Sequence, residues 1–94
     1  MLVYLAGPMT GKIDFNRAAF ATASERLRRQ GYSVFNPAAA NLERLPLNAI
    51  MAYVIEQLCY SEAIALLPGW WKSGGARIEW LLAKYLKKKI IYLR

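Results

Sequence analysis

The chain has 94 residues, 56% of them hydrophobic, with a formal net charge of +7, one cysteine and no histidine. This length accommodates a single domain over residues 1–94. Without histidine or a cysteine cluster, zinc sites, His-based acid–base catalysis and Ser-His triads are excluded, so we expect no metal site. The positive charge favours anionic ligands. The hydrophobic share exceeds the usual ~45–50%, which predicts apolar surface in a ligand pocket or between subunits.

The first strand is predicted over residues 2–6 and ends at the turn-forming segment Gly7-Pro8-Met9-Thr10-Gly11. Asp14 or Asn16 is expected to cap a helix over residues 15–30, which Gly31 ends. A second strand follows over residues 32–35, and a second helix starts at Pro46 or Asn48 and runs to residue 60. The remaining elements are a strand over 63–67, a helix over 75–86 and a strand over 89–93.

The segment 66–79 joins the third strand to the third helix through Pro68-Gly69 and Ser73-Gly74-Gly75. Free amides at a helix N-terminus suit a phosphate or carboxylate, and glycines let such a ligand approach the backbone. Ser73 is therefore either a helix cap or a hydroxyl offered to an anion, and Glu79 either a surface carboxylate or one held beside a pocket. The third helix is expected to pack through an apolar stripe: Ile78, Leu81, Leu82, Tyr85 and Leu86.

Strands and helices alternate throughout, which predicts a parallel four-stranded sheet in the order 2-1-3-4 with helices on both faces. We therefore expect a three-layer α/β sandwich of flavodoxin-like or Rossmann-like type. Its switch point lies between the first and third strands, so the loops 7–11 and 68–75 are expected to meet at one rim.

Three further features have ordinary interpretations. Cys59 lies in an apolar pattern and is expected to be a buried, unreactive thiol. The basic runs at residues 26–29 and 84–89 are read as solvated surface, and nucleic-acid binding stays open but is not favoured without a recognition signature. No leader and no apolar run near ~20 residues is present, which predicts a soluble, cytoplasmic protein with no membrane partner.

Several motifs together resemble a known family. They are Val3-Tyr-Leu-Ala-Gly-Pro-Met-Thr-Gly11 with Asn16 and Phe20, Gly31-Tyr-Ser-Val-Phe-Asn-Pro37, Ala63-Ile-Ala-Leu-Leu-Pro-Gly-Trp70, and Ser73-Gly-Gly-Ala-Arg-Ile-Glu79. They are similar to the nucleoside 2-deoxyribosyltransferase-like superfamily, and in particular to its small phage and bacterial proteins of mostly unassigned activity. The resemblance covers nearly the whole chain and implies a bacterial cell or a phage-infected host as its location.

The resemblance implies cleavage of an N-glycosidic bond in a (deoxy)nucleoside or its 5′-phosphate. Glu79 would be the nucleophile and Tyr4 a residue that positions it, as in retaining glycosidases. Substrate contacts would come from two stretches: Gly7, Pro8, Met9 and Asn16, and Ser73, Gly74, Gly75 and Ala76. No cofactor is implied, and a homo-oligomer, dimeric or larger, would complete the site.

The chain departs from the transferases at two acidic positions. Val54 lies near the position of one family Asp, and Ser73 replaces another, six residues before the Glu. A nucleotide hydrolase is therefore expected rather than a base-swapping transferase. The alternatives are a degenerate module that binds or sequesters a nucleotide, and a basic oligomeric interaction protein. Trp70 and Trp71 would either stack a base or belong to a core or interface.

Overall fold

The computed structural model describes all 94 residues and contains one sheet of four parallel strands. The strands are β1 (Leu2–Ala6), β2 (Ser33–Phe35), β3 (Ala63–Leu66) and β4 (Lys89–Tyr92). The helices are α1 (Arg17–Arg29), α2 (Leu47–Tyr60) and α3 (Gly74–Tyr85). The sheet order is β2-β1-β3-β4, so the predicted α/β sandwich and its strand order are confirmed.

The two faces of the sheet carry two separate hydrophobic clusters. Val3 and Leu5 of β1 face α1, whose Phe20 and Leu27 belong to the same cluster. Alternate strand residues face the opposite layer, where α2 and α3 pack. Every residue of β3 is buried, because helices cover both faces of this strand and β1 and β4 pair with its two edges.

The segment before α1 differs from the prediction of a helix capped at Asp14 or Asn16. Asp14, Phe15 and Asn16 have φ values of 48°, 53° and 63°, a run of three left-handed residues without glycine. Neither predicted side chain caps α1, which starts at Arg17. The Asn16 side chain instead donates from Nδ2 to the carbonyl of Pro8 at 2.9 Å. The predicted helix end is confirmed, since Gly31 has a φ of 95° just beyond α1.

The predicted core stripe of α3 is wrong except at Leu82, which packs against the core. Ile78, Leu81 and Tyr85 are 51%, 58% and 83% exposed. The buried side of the helix holds two alanines and a carboxylate: Ala76, Glu79 and Ala83. A helix that is apolar on both sides leaves the choice of core face to packing. The small alanines let α3 approach the sheet closely, and Tyr4 satisfies the buried carboxylate.

The prediction for Cys59 is also wrong, because its side chain is exposed. Cys59 directly follows the buried Leu58, and the ~100° turn between neighbouring helical residues carries it away from the sheet. No helix has both the length and the apolar character that a bilayer crossing needs.

Candidate functional site

A buried pair of side chains, Tyr4 and Glu79, joins β1 to α3. The Tyr4 hydroxyl donates a hydrogen bond to Oε2 of Glu79, although the two residues are 75 positions apart in sequence. Tyr4 is 1% exposed and Glu79 is 8% exposed. The alternation of β1 turns Tyr4 toward the layer of α2 and α3, where the second turn of α3 presents Glu79. The resemblance predicted both residues, and the fold brings them into contact.

The Glu79 carboxylate has one oxygen engaged and one oxygen available. Oε1 accepts no hydrogen bond within the protein. It is not fully buried, because the only fully buried polar side-chain atom without a partner is Ser24 Oγ. Burial raises the pKa of Glu79 to about 7, while the hydrogen bond from Tyr4 lowers it. Burial, and then the neighbouring Glu79 carboxylate, raise the pKa of Tyr4 well above its usual value. Tyr4 is therefore a neutral donor at neutral pH, and Glu79 is close to half ionised.

The pair lies in the wall of a cavity of about 320 Å³ at the carboxyl end of the sheet. Seven of the ten predicted site residues line it: Tyr4, Gly7, Met9, Ser73, Gly75, Ala76 and Glu79. Pro8, Asn16 and Gly74 do not line it. Asn16 instead holds the loop after β1 through its bond to the carbonyl of Pro8. The two predicted loops therefore do meet at one rim.

Gly7 allows the two loops to approach each other. A Cβ atom at this position would lie 2.7 Å from Cβ of Leu67, the residue that follows β3. Such a contact is shorter than the packed interior of a protein tolerates. The glycine is therefore required for the close approach between the start of the loop after β1 and Leu67.

The N-terminus of α3 combines a capped helix with free donors. Ser73 Oγ accepts a hydrogen bond from the Ala76 amide at 3.3 Å, which confirms the predicted cap. The amides of Gly74 and Gly75 donate to no other group of the protein. Gly75 lines the cavity, so its unpaired amide stands at the edge of the space next to Glu79.

The family of the chain follows from a match over residues 1–92 to the family DUF4406, described as a domain of unknown function. The chain belongs to that family. Curated proteins offer no match to this sequence. The family description names no activity, so the resemblance to the deoxyribosyltransferase-like superfamily stays a prediction. Function in this DUF4406 protein is therefore inferred from the geometry of its cavity.

The sequence interpretation missed the apolar wall of this DUF4406 cavity. Residues of α2 and of the segment before it contribute this wall: Leu42, Leu47, Ile50, Met51 and Val54. Val54 is buried, and the face of α2 that carries it also closes the cavity. Apolar periodicity predicts burial and does not distinguish a core from a pocket wall.

A strained turn and an arginine border the cavity. Phe15, whose φ is 53°, lines the cavity, and the Arg17 guanidinium lies 5.3 Å from its ring centroid. Arg17 also bonds Asp14 at 2.6 Å and Glu43 at 2.5 Å. Glu43 is itself a lining residue, so Arg17 links two segments of the cavity wall. No lysine or arginine lines the cavity itself.

Trp70 and Trp71 lie outside the cavity, so neither side chain is placed to stack a base there. Trp70 packs on Trp80 with ring centroids 5.1 Å apart, and Trp80 Nε1 donates to the Tyr92 hydroxyl at 3.2 Å. Trp71 is 56% exposed. Trp70 therefore packs against the hydrophobic cluster on the side of the sheet that α2 and α3 cover, in line with the expected core or interface role.

Proposed function

We propose that this protein binds a (deoxy)nucleoside 5′-phosphate or a related nucleotide and cleaves its N-glycosidic bond, with Glu79 as the nucleophile. One observation carries the proposal. A buried carboxylate in the wall of a mostly apolar cavity is held by Tyr4 through one oxygen, and its other oxygen has accessible surface and no partner in the protein. Small-molecule sites are typically apolar cavities with a few polar groups directed into them and a carboxyl group whose pKa is shifted.

The reaction would proceed in two displacements. Oε1 of Glu79 attacks the anomeric carbon while the C–N bond breaks, and the bonding electrons leave with the base, which takes a proton from water. The sugar is then esterified to Glu79. Water attacks the same carbon, gives its proton to solvent, and releases the free sugar with the ionised carboxylate. Tyr4 would keep Oε2 fixed so that the reactive oxygen points into the cavity.

The two ends of the substrate would find different surroundings. The amide of Gly75 and the hydroxyl of Ser73 border the cavity at the N-terminus of α3, which suits a phosphate. The base would lie against the apolar wall that α2 provides. These placements support a nucleotide lying with its sugar between α3 and α2, next to Glu79.

A second candidate function is binding of a nucleotide without cleavage. Val54 occupies the cavity wall where an acid could protonate the leaving base. The only other carboxylate that lines the cavity, Glu43, is already paired with Arg17. A site with a nucleophile and no free proton donor would hold its ligand and turn it over slowly.

The test is chromatography of free base released from a panel of nucleosides, 5′-mononucleotides and NAD, with deoxy and ribo forms of each base. The variant Glu79→Gln removes the nucleophile and keeps the acceptor for Tyr4. The matched control is Glu25→Gln, since Glu25 pairs only with Arg29 on the surface of α1. Release by the wild type and by Glu25→Gln, but not by Glu79→Gln, supports cleavage. Calorimetric binding without release supports the binding module. If the protein neither releases base nor binds any of these compounds, both proposals are refuted.

A further inference from the structure

The outer side of α3 is apolar although it faces away from the sheet. Ile78, Leu81 and Tyr85 follow the spacing i, i+3, i+7 and lie within about 60° of one another around the helix axis. They stand about 180° from the buried Ala83 and are more than half exposed. A helix that is apolar on both sides is typical of one covered on both sides. We call these three residues the outer stripe.

The charges beside the outer stripe are asymmetric. Arg77 and Lys84 form one flank, on the side of Trp80 and the edge strand β4. On the other flank lies α2, which packs next to α3. Glu56 lies on the side of α2 turned away from its buried residues Val54 and Leu58. A basic row therefore runs along one side of the stripe, and a carboxylate stands on the other.

Glu56 is the one acidic side chain of the protein without a partner. The other five each accept a hydrogen bond or form an ion pair, with Arg17, Arg29, Tyr4 and the amide of Leu2 as their partners. Glu56 is exposed and close to the C-terminal end of α2, one turn before Tyr60. Lys84 is close to the C-terminal end of α3, and Lys88 bonds the Cys59 carbonyl at 3.0 Å, which brings those two ends to one level.

We propose that the outer stripe binds a second copy of this chain around a two-fold axis parallel to α3. Such an axis places the basic flank of each copy over α2 of the other, so that Lys84 meets Glu56 of the second copy at the same level. A two-fold axis perpendicular to α3 would instead set the basic flank of one copy against the basic flank of the other, which like-charge repulsion disfavours. The charge pattern thus selects one of the two symmetric arrangements. This inference does not depend on the proposed function.

The first experiment measures the mass of the full chain by sedimentation equilibrium at micromolar concentrations. The wild type is expected at twice the chain mass of 10.7 kDa. Leu81→Glu puts a charge on the stripe and is expected to give a monomer, with circular dichroism showing that the exposed site leaves the fold intact. Tyr85→Asp serves as a second variant. Ala21→Glu, at an exposed position of α1 on the opposite layer, is expected to stay a dimer.

The second experiment reverses the charges. Glu56→Lys and Lys84→Glu are each expected to raise the dimer dissociation constant about tenfold or more, and the double variant to return it to within about threefold of the wild type. A double variant no tighter than the singles overturns the proposed arrangement. A monomeric wild type, or a Leu81→Glu variant that remains a dimer, overturns the interface. A monomer that instead sediments with phosphatidylglycerol vesicles would assign the stripe to an anionic lipid surface and overturn the second copy as its partner.

Discussion

The Tyr4 hydroxyl donates a hydrogen bond to the Glu79 carboxylate inside the layer between β1 and the two helices α2 and α3. Burial opposes ionisation of Glu79, and the single hydrogen bond from Tyr4 only partly offsets it, so the pKa of Glu79 rises to about 7. The protein therefore keeps, at neutral pH, a carboxylate that costs stability when ionised. Groups held at such a cost are common at sites of binding and catalysis.

The stability of the wild type should fall as the pH rises, because the folded pKa of Glu79, about 7, lies above its usual value of 4.5. The contribution of Glu79 to the free energy of unfolding is fully present below about pH 4.5 and is lost as the pH rises through 7. The total loss is about 3 kcal/mol. Urea denaturation between pH 4.5 and 8 measures it. Glu79→Gln should lack this fall, and Glu25→Gln should keep it. Equal slopes for the wild type and Glu79→Gln would refute the assignment.

Tyr4→Phe should raise the pKa of Glu79 further, because the hydrogen bond from Tyr4 is the interaction that lowers it. Carbon NMR of the Glu79 carboxyl group follows the titration directly. Tyr60→Phe is the control, since Tyr60 is 69% exposed and its hydroxyl makes no hydrogen bond in the protein. A titration midpoint that does not move in Tyr4→Phe would mean that the bond does not stabilise the ionised form.

Gly7→Ala should destabilise the protein by about 1–3 kcal/mol, because the new methyl group overlaps Leu67, which is buried in the core. Thermal denaturation gives the change. Gly74→Ala is the matched control, since a Cβ atom there meets nothing within 4 Å and the position starts a helix. That variant should be as stable as the wild type or slightly more stable. The prediction is wrong if the two variants melt together.

Arg17→Gln should loosen the turn that carries Phe15 to the cavity. Three successive left-handed residues are strained, and Arg17 ties the turn to Glu43, another residue of the cavity wall. Hydrogen exchange over residues 13–17 and 42–45 should accelerate by about tenfold or more. Arg29→Gln removes a comparable surface ion pair and should leave these amides unchanged. Equal exchange in both variants would assign no role to Arg17.

The sheet was predictable because its signals are local, whereas Tyr4 and Glu79 were predicted as site residues by the family resemblance. Short apolar runs bounded by glycine and proline marked β1 and β3, and Ser73 marked the start of α3 six residues before Glu79. Once the strand order is 2-1-3-4, the ends of β1 and β3 meet, and the alternation of β1 puts Tyr4 on the face that α2 and α3 cover.

The rest depends on packing that a local pattern does not contain. Which side of α3 faces the core was decided by the fit of two alanines and by the bond between Glu79 and Tyr4. The left-handed turn at Asp14 contains no glycine that would predict it from the sequence. Arg17 stabilises this turn through its contacts with Asp14 and with Glu43, which is distant in sequence. The apolar wall from α2 looks in sequence like any other core face.

The central claim is that Glu79 forms a covalent bond to the sugar, and intact-protein mass spectrometry after an acid quench tests it most directly. The chain is mixed with the nucleotide whose base it releases and is quenched during turnover. We expect an added mass equal to the dehydrated sugar phosphate, located on the peptide that contains Glu79 and absent from Glu79→Gln. Release of base that continues in Glu79→Gln, with the wild-type mass unchanged, would contradict the account.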